Sequence, residues 1–84
     1  MTLAALKRTI QPGTRLRVLA HWQEKYQGSE RVVTKTQGNG FWFDFEGKRC
    51  WSPYPKADEI TFTSERVFTV TPSDSKSWTL EIVA

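Results

Sequence analysis

The spacing of hydrophobic positions changes once, early in the chain. Leu3, Leu6 and Ile10 recur at helical spacing behind Thr2, whose hydroxyl suits an N-cap, and Pro12-Gly13 stops the pattern. Two helical turns are marginal alone, so this segment is expected to dock on something larger. From Thr14 the period is two. Leu16, Val18, Ala20 and Trp22 alternate with Arg15, Arg17, Leu19 and His21, the pattern of a half-buried strand with a basic outer face. Residues 23–29 are polar, include Gly28 and read as a loop.

Residues 31–37 are rich in Val and Thr and predict a second strand. Asn39-Gly40 follows, a strong hairpin signal because a type I′ turn needs positive φ at both central residues. Residues 41–45 supply the partner strand, Glu46-Gly47 a second tight turn, and residues 48–52 the next strand. Pro53-Tyr54-Pro55 ends it, since neither proline can donate to a ladder. Later strands are predicted over 59–63, with Ile60 and Phe62 together, and over 67–71, with Phe68 and Val70 together. A turn-rich stretch, 72–77, precedes the alternation of Trp78, Leu80 and Ile82.

Counting outward from the two turns predicts the register. With Asn39-Gly40 as a two-residue turn, Lys35 faces Asp44 and Thr36 faces Phe43. With Glu46-Gly47 as another, Asp44 faces Arg49, Phe43 faces Cys50 and Trp42 faces Trp51. Opposed side chains share a face. One face then carries Val32, Thr34, Thr36, Phe41, Phe43, Phe45 and Cys50, and is expected to be the core, with Cys50 an inert buried thiol. The other carries Val33, Lys35, Gln37, Trp42, Asp44, Arg49 and Trp51. A one-residue slip would bury its charges.

Six or seven short strands in 84 residues predict a mainly β fold, with residues 1–84 forming one small domain. The expected architecture is a small antiparallel barrel of five to seven strands with a short N-terminal helix. A short leading helix followed by bent strands resembles the SH3-like and Sm-like small barrels. The resemblance covers most of the chain, is one of architecture alone and implies no particular activity. An OB-fold usually needs more residues and a helix between its third and fourth strands.

Composition narrows the function classes. Four Trp, two Tyr and five Phe supply enough large side chains for a core, so disorder is not expected. No apolar run reaches the roughly 18–20 residues of a membrane span, so no membrane partner is expected. Lys7 and Arg8 follow the first apolar residues, the reverse of a secretion signal. A single Cys forms no internal disulfide, and with a single His it builds no structural zinc site. These features predict a cytoplasmic protein with no metal and no cofactor, of a size that suits a bacterial or phage accessory or inhibitor protein. His21, the sole histidine, has no nucleophile motif near it, and Gly38-Asn39-Gly40 precedes no helix as a phosphate loop would. No enzyme is expected.

Charge is uneven. Residues 1–56 hold ten Lys or Arg against four acids, and residues 57–84 hold two against five. The leading expectation is a non-catalytic module that binds a protein partner through Trp42, Trp51, Arg49, Tyr54 and Lys35. Exposed Trp beside Arg has the composition of interface hot spots, and Trp51-Ser52-Pro53-Tyr54-Pro55 suits a rigid aromatic loop that receives a peptide. In the structural alternative, the N-terminal helix covers Trp42 and Trp51, and Tyr54 plugs one end of the barrel. The second functional expectation is nucleic-acid binding by Arg15, Arg17, Arg31, Lys35 and Arg49, with the two tryptophans as stacking platforms.

Overall fold

Thr2 caps the first element as its position predicts. In the computed structural model, which describes residues 1–83, its hydroxyl accepts from the Ala5 N–H at 3.2 Å and opens the helix α1, Leu3–Thr9. Gly13, at φ +94°, turns the chain into the sheet. Seven strands follow: β1 (Arg15–His21), β2 (Glu30–Gln37), β3 (Gly40–Phe45), β4 (Lys48–Pro53), β5 (Ile60–Phe62), β6 (Val67–Val70) and β7 (Trp78–Val83). They form one antiparallel sheet in the order β4-β3-β2-β1-β7-β6-β5. Short 3-10 turns lie at Glu24–Tyr26, within the predicted loop, and at Ala57–Glu59. No described helix is long and apolar enough to cross a membrane.

Phe41 and Phe43 of β3 share one buried cluster with Phe68 and Val70 of β6, although three strands separate them in the sheet. The sheet therefore curls around its inner face. Leu6 and Ile10 of the helical segment, each 1% exposed, pack into the same cluster. The helix thus docks on the inner face, and β4 and β5 are the edges of the sheet. Leu16, Val18, Leu80 and Ile82 complete the interior, as the period-two pattern predicts.

The β3–β4 pairing matches the count residue for residue. Phe45 faces Lys48, Asp44 faces Arg49, Phe43 faces Cys50 and Trp42 faces Trp51. Glu46 (φ 52°) and Gly47 (φ 77°) form the turn with both φ positive. Phe43 is 7% exposed. Cys50 is half-buried rather than enclosed, because β4 is an edge strand with nothing paired beyond it.

The β2–β3 hairpin departs from the prediction in two ways. Gln37 pairs with Gly40, so the turn is Gly38-Asn39, and neither Asn39 nor Gly40 has a positive φ. Gly40 belongs to the strand. An added Cβ there would meet the Ser52 carbonyl oxygen at 2.5 Å and the Trp51 ring at 2.7 Å. Its glycine serves close approach rather than turn geometry. Moving the turn by one residue shifts each pair by two, which preserves the faces of Thr36, Lys35 and Gln37.

The second departure inverts a face. The shifted turn sets Lys35 opposite Trp42 rather than Asp44, and a bulge between Val33 and Lys35 then leaves Thr34 as the surplus residue. Beyond it, Val33 turns inward (1% exposed) and Val32 outward (40% exposed), the reverse of the prediction. β1 behaves likewise. A bulge between Val18 and Ala20 leaves Ala20 exposed opposite Thr79 and pairs His21 with Trp78 on the inner face.

Candidate functional site

The two bulges decide where two basic side chains point. Arg31 pairs with Leu16 on the inner face, so it leaves the basic outer surface on which alternation had placed it. Its guanidinium carbon lies 4.9 Å from the centre of the Phe43 ring and 5.7 Å from that of Phe45. Stacking on both rings uses a delocalised cation as a lysine could not be used. The Arg31 Nε is buried without a hydrogen-bond partner. The ion pairs among the described residues involve other cations. Burial pulls the Arg31 pKa below the ordinary arginine value, yet the group remains charged at neutral pH.

His21 reaches the same interior from β1. Its ring stacks near Trp22 (5.7 Å between centres) and Trp78 (6.3 Å), and Tyr26 meets it edge-on at 5.1 Å. The Gln23 N–H donates to His21 Nδ1 at 2.9 Å, which fixes that nitrogen as an acceptor. Burial, and then the charge of Arg31, hold the imidazole pKa below 6.5.

Between these groups and edge strand β4 lies a cavity of about 390 Å³. Phe43, Trp22, Trp51, Tyr54 and Trp78 give it an aromatic wall, and Pro53, Pro55 and Pro72 stiffen the rim. Arg31 is its cation, His21 lies beside it as an uncharged imidazole at neutral pH, and Glu59 also lines it. Glu59 Oε1 accepts the Lys56 N–H at 2.9 Å. More positive charge stands near these rings. Lys76 Nζ is 5.0 Å from the centre of the Trp22 ring, and Lys7 Nζ is 5.4 Å from that of Tyr54. Tyr54 is half-buried against Phe41 and the core, and burial pushes its phenol above the usual pKa, so it stays neutral. It both closes the core and lines the cavity.

The structure brings several of the sequence-derived site residues together elsewhere. Trp42 and Trp51 oppose each other, with ring centres 5.2 Å apart and planes at 52°. Trp42 Nε1 donates to Gln37 Oε1 at 3.2 Å. Lys35 pairs with Trp42, and Arg49 pairs with Asp44, both cations exposed on the outer face. The helix occupies the inner face, away from this arrangement, though edge-strand Trp51 also reaches the cavity wall.

Arg15 and Arg17 are exposed on the outer face of β1, where Glu30 answers them at 3.9 and 3.3 Å and Glu81 answers Arg17 at 3.6 Å. Sequence reasoning missed His21, Trp22 and Trp78 as wall residues. The signal was present in the adjacent pair His21-Trp22, but strict alternation sent His21 outward. Comparison with family models, curated proteins and solved structures finds no match to this chain.

Proposed function

We propose that this chain is a non-catalytic binding module that holds a segment of a protein partner in the cavity between β1, β4 and the start of β7. The observation that carries this reading is the composition of the cavity. Its volume falls within the roughly 300–1,000 Å³ of ligand sites, and its rings and prolines form a stiff wall that costs little entropy on binding. Protein interfaces favour the same residue types, aromatic rings and arginine. The single thiol, Cys50, suits a reducing compartment such as the cytoplasm.

The nucleic-acid reading receives less support. Of the five cations it requires, Arg31 lies inside, and Arg15 and Arg17 already contact Glu30.

The test compares two exposed or half-exposed tryptophans on different faces. Wild type, Trp22→Ala and Trp42→Ala are immobilised and presented with lysate, with and without nuclease treatment, and retained proteins are identified. A protein held by wild type and by Trp42→Ala but lost from Trp22→Ala supports the cavity. Loss from Trp42→Ala alone moves the site to the outer face. Retention that disappears with nuclease and falls steeply with salt returns the nucleic-acid reading.

A further inference from the structure

Most of the cavity wall is apolar, yet it holds a positive charge that the protein leaves without an acidic partner. Arg31 is fixed over Phe43 and Phe45, lines the cavity, and has no carboxylate within ion-pair distance among the described residues. Its buried Nε has no acceptor. By contrast, the exposed Arg15 and Arg17 both have acid partners. Arg31 is half-buried and its Nε has lost water without gaining an acceptor, and an incoming carboxylate is the group that matches its planar donor geometry.

Other cations add to this bias. Lys76 stands over Trp22 and Lys7 over Tyr54. A cationic guest would face Arg31, Lys76 and Lys7, which outnumber the one carboxylate on the same wall, Glu59. A neutral apolar guest would leave Arg31 unanswered. The guest that satisfies both features of the cavity carries a ring and, next to it, a carboxylate.

We propose that Arg31 is the receptor for a carboxylate on an acidic, aromatic-bearing peptide segment of the partner, whose ring packs among Trp22, Trp78 and Tyr54. This rests on the cavity being the binding site, and it adds the chemistry of the occupant. The carboxylate comes from an Asp or Glu side chain or from a chain terminus, and the two sources are separable.

Four probes decide it, followed by tryptophan emission, since Trp22, Trp51 and Trp78 line the cavity. Acetyl-Pro-Phe-Asp-Pro-amide is compared with its Asn counterpart, and acetyl-Pro-Phe free acid with acetyl-Pro-Phe-amide. One acid is expected to bind at least about tenfold more tightly than its amide, the scale of a charge-assisted hydrogen bond. Preference in the first pair identifies a side-chain carboxylate, and in the second a terminus. Arg31→Gln and Arg31→Met should each reduce the preference to below about threefold, with circular dichroism confirming that they fold.

Equal binding of acid and amide overturns the carboxylate proposal and leaves the cavity as a binding site. A preference that survives in both Arg31 variants overturns it too, because another cation then supplies the attraction. So does the absence of binding by all four probes at about 10 mM, near the weak limit of specific affinity. Unfolding of both variants would make Arg31 a structural residue and overturn the proposal as well. Each of these results is separate from the Trp22 and Trp42 comparison, which tests the cavity itself.

Discussion

The indole of Trp51 lies across Gly40 on the neighbouring strand, so close that a Cβ on Gly40 would meet ring atoms Cζ2 and Cη2 at 2.7 Å. The Ser52 carbonyl oxygen, at 2.5 Å from that Cβ, closes the other side. Gly40→Ala is expected to destabilise the fold by roughly 1–3 kcal/mol through overpacking. In a Trp51→Ala background the penalty should shrink without vanishing, because a backbone oxygen yields less than a side chain. Urea denaturation of the four proteins in this cycle measures both terms, and an unchanged midpoint for Gly40→Ala would refute the close approach.

Phe43 supports two things at once. It belongs to the core and carries the Arg31 guanidinium on its face. Phe43→Ala is expected to cost about 3–5 kcal/mol, a large share of the roughly 5–15 kcal/mol that holds a domain together. Phe43→Leu should keep much of the burial while removing the ring from beneath the cation. Thermal melts of both variants would show the ranking, and a native-like melting temperature for the Ala variant would contradict the observed burial.

His21 makes stability depend on pH in a defined direction. Its folded pKa lies below the reference value of 6.5, so the unfolded chain binds the proton more strongly. The stabilising contribution is complete above about 6.5 and is lost as pH falls through 6.5 toward the folded pKa. The slope cannot exceed the one-proton limit of about 1.4 kcal/mol per pH unit. Denaturation curves between about pH 5 and 8 should show a fall toward the acid side, and His21→Gln should flatten it. Equal slopes in the two proteins would contradict the depressed pKa.

Glu30 joins Arg15 and Arg17 on an exposed surface. Glu30→Ala should cost no more than about 1 kcal/mol, because exposed ion pairs are weak. The loss should shrink in about 1 M salt, where screening acts over a few ångströms. A salt-independent loss well beyond that size would show that Glu30 has a packing role.

Much of the fold could be read because local chemistry and the long-range pattern agree. Thr2 caps the helix, Glu46-Gly47 sets the β3–β4 register, and Phe68, Val70, Leu80 and Ile82 follow strict alternation into the core. The Gly38-Asn39 turn was misplaced because Gly40 has a second use, proximity to Trp51, that a turn rule does not contain. The cavity was not legible for a different reason. A bulge leaves no fixed mark in composition, and it exchanges inside for outside in all residues beyond it until the next irregularity. The sequence therefore offered Trp42, Trp51, Lys35 and Arg49 as one surface, which the structure does assemble, while Arg31 and His21 were assigned to the wrong side.

Each bulge is one surplus residue, Leu19 in β1 and Thr34 in β2. A lineage that lost the codon for either would keep every ring and every cation of the cavity. If the flanking pairs held, the loss of Leu19 would leave His21 opposite Trp78 and the loss of Thr34 would leave Arg31 opposite Leu16, each ladder simply becoming regular. The chemistry of this pocket is thus inherited as a set of cross-strand pairs, which the two surplus residues conceal from the linear pattern. Single-codon deletions at these two places would bring the encoded alternation into step with the fold, so a relative lacking both residues would show its cavity-facing side chains by period two alone.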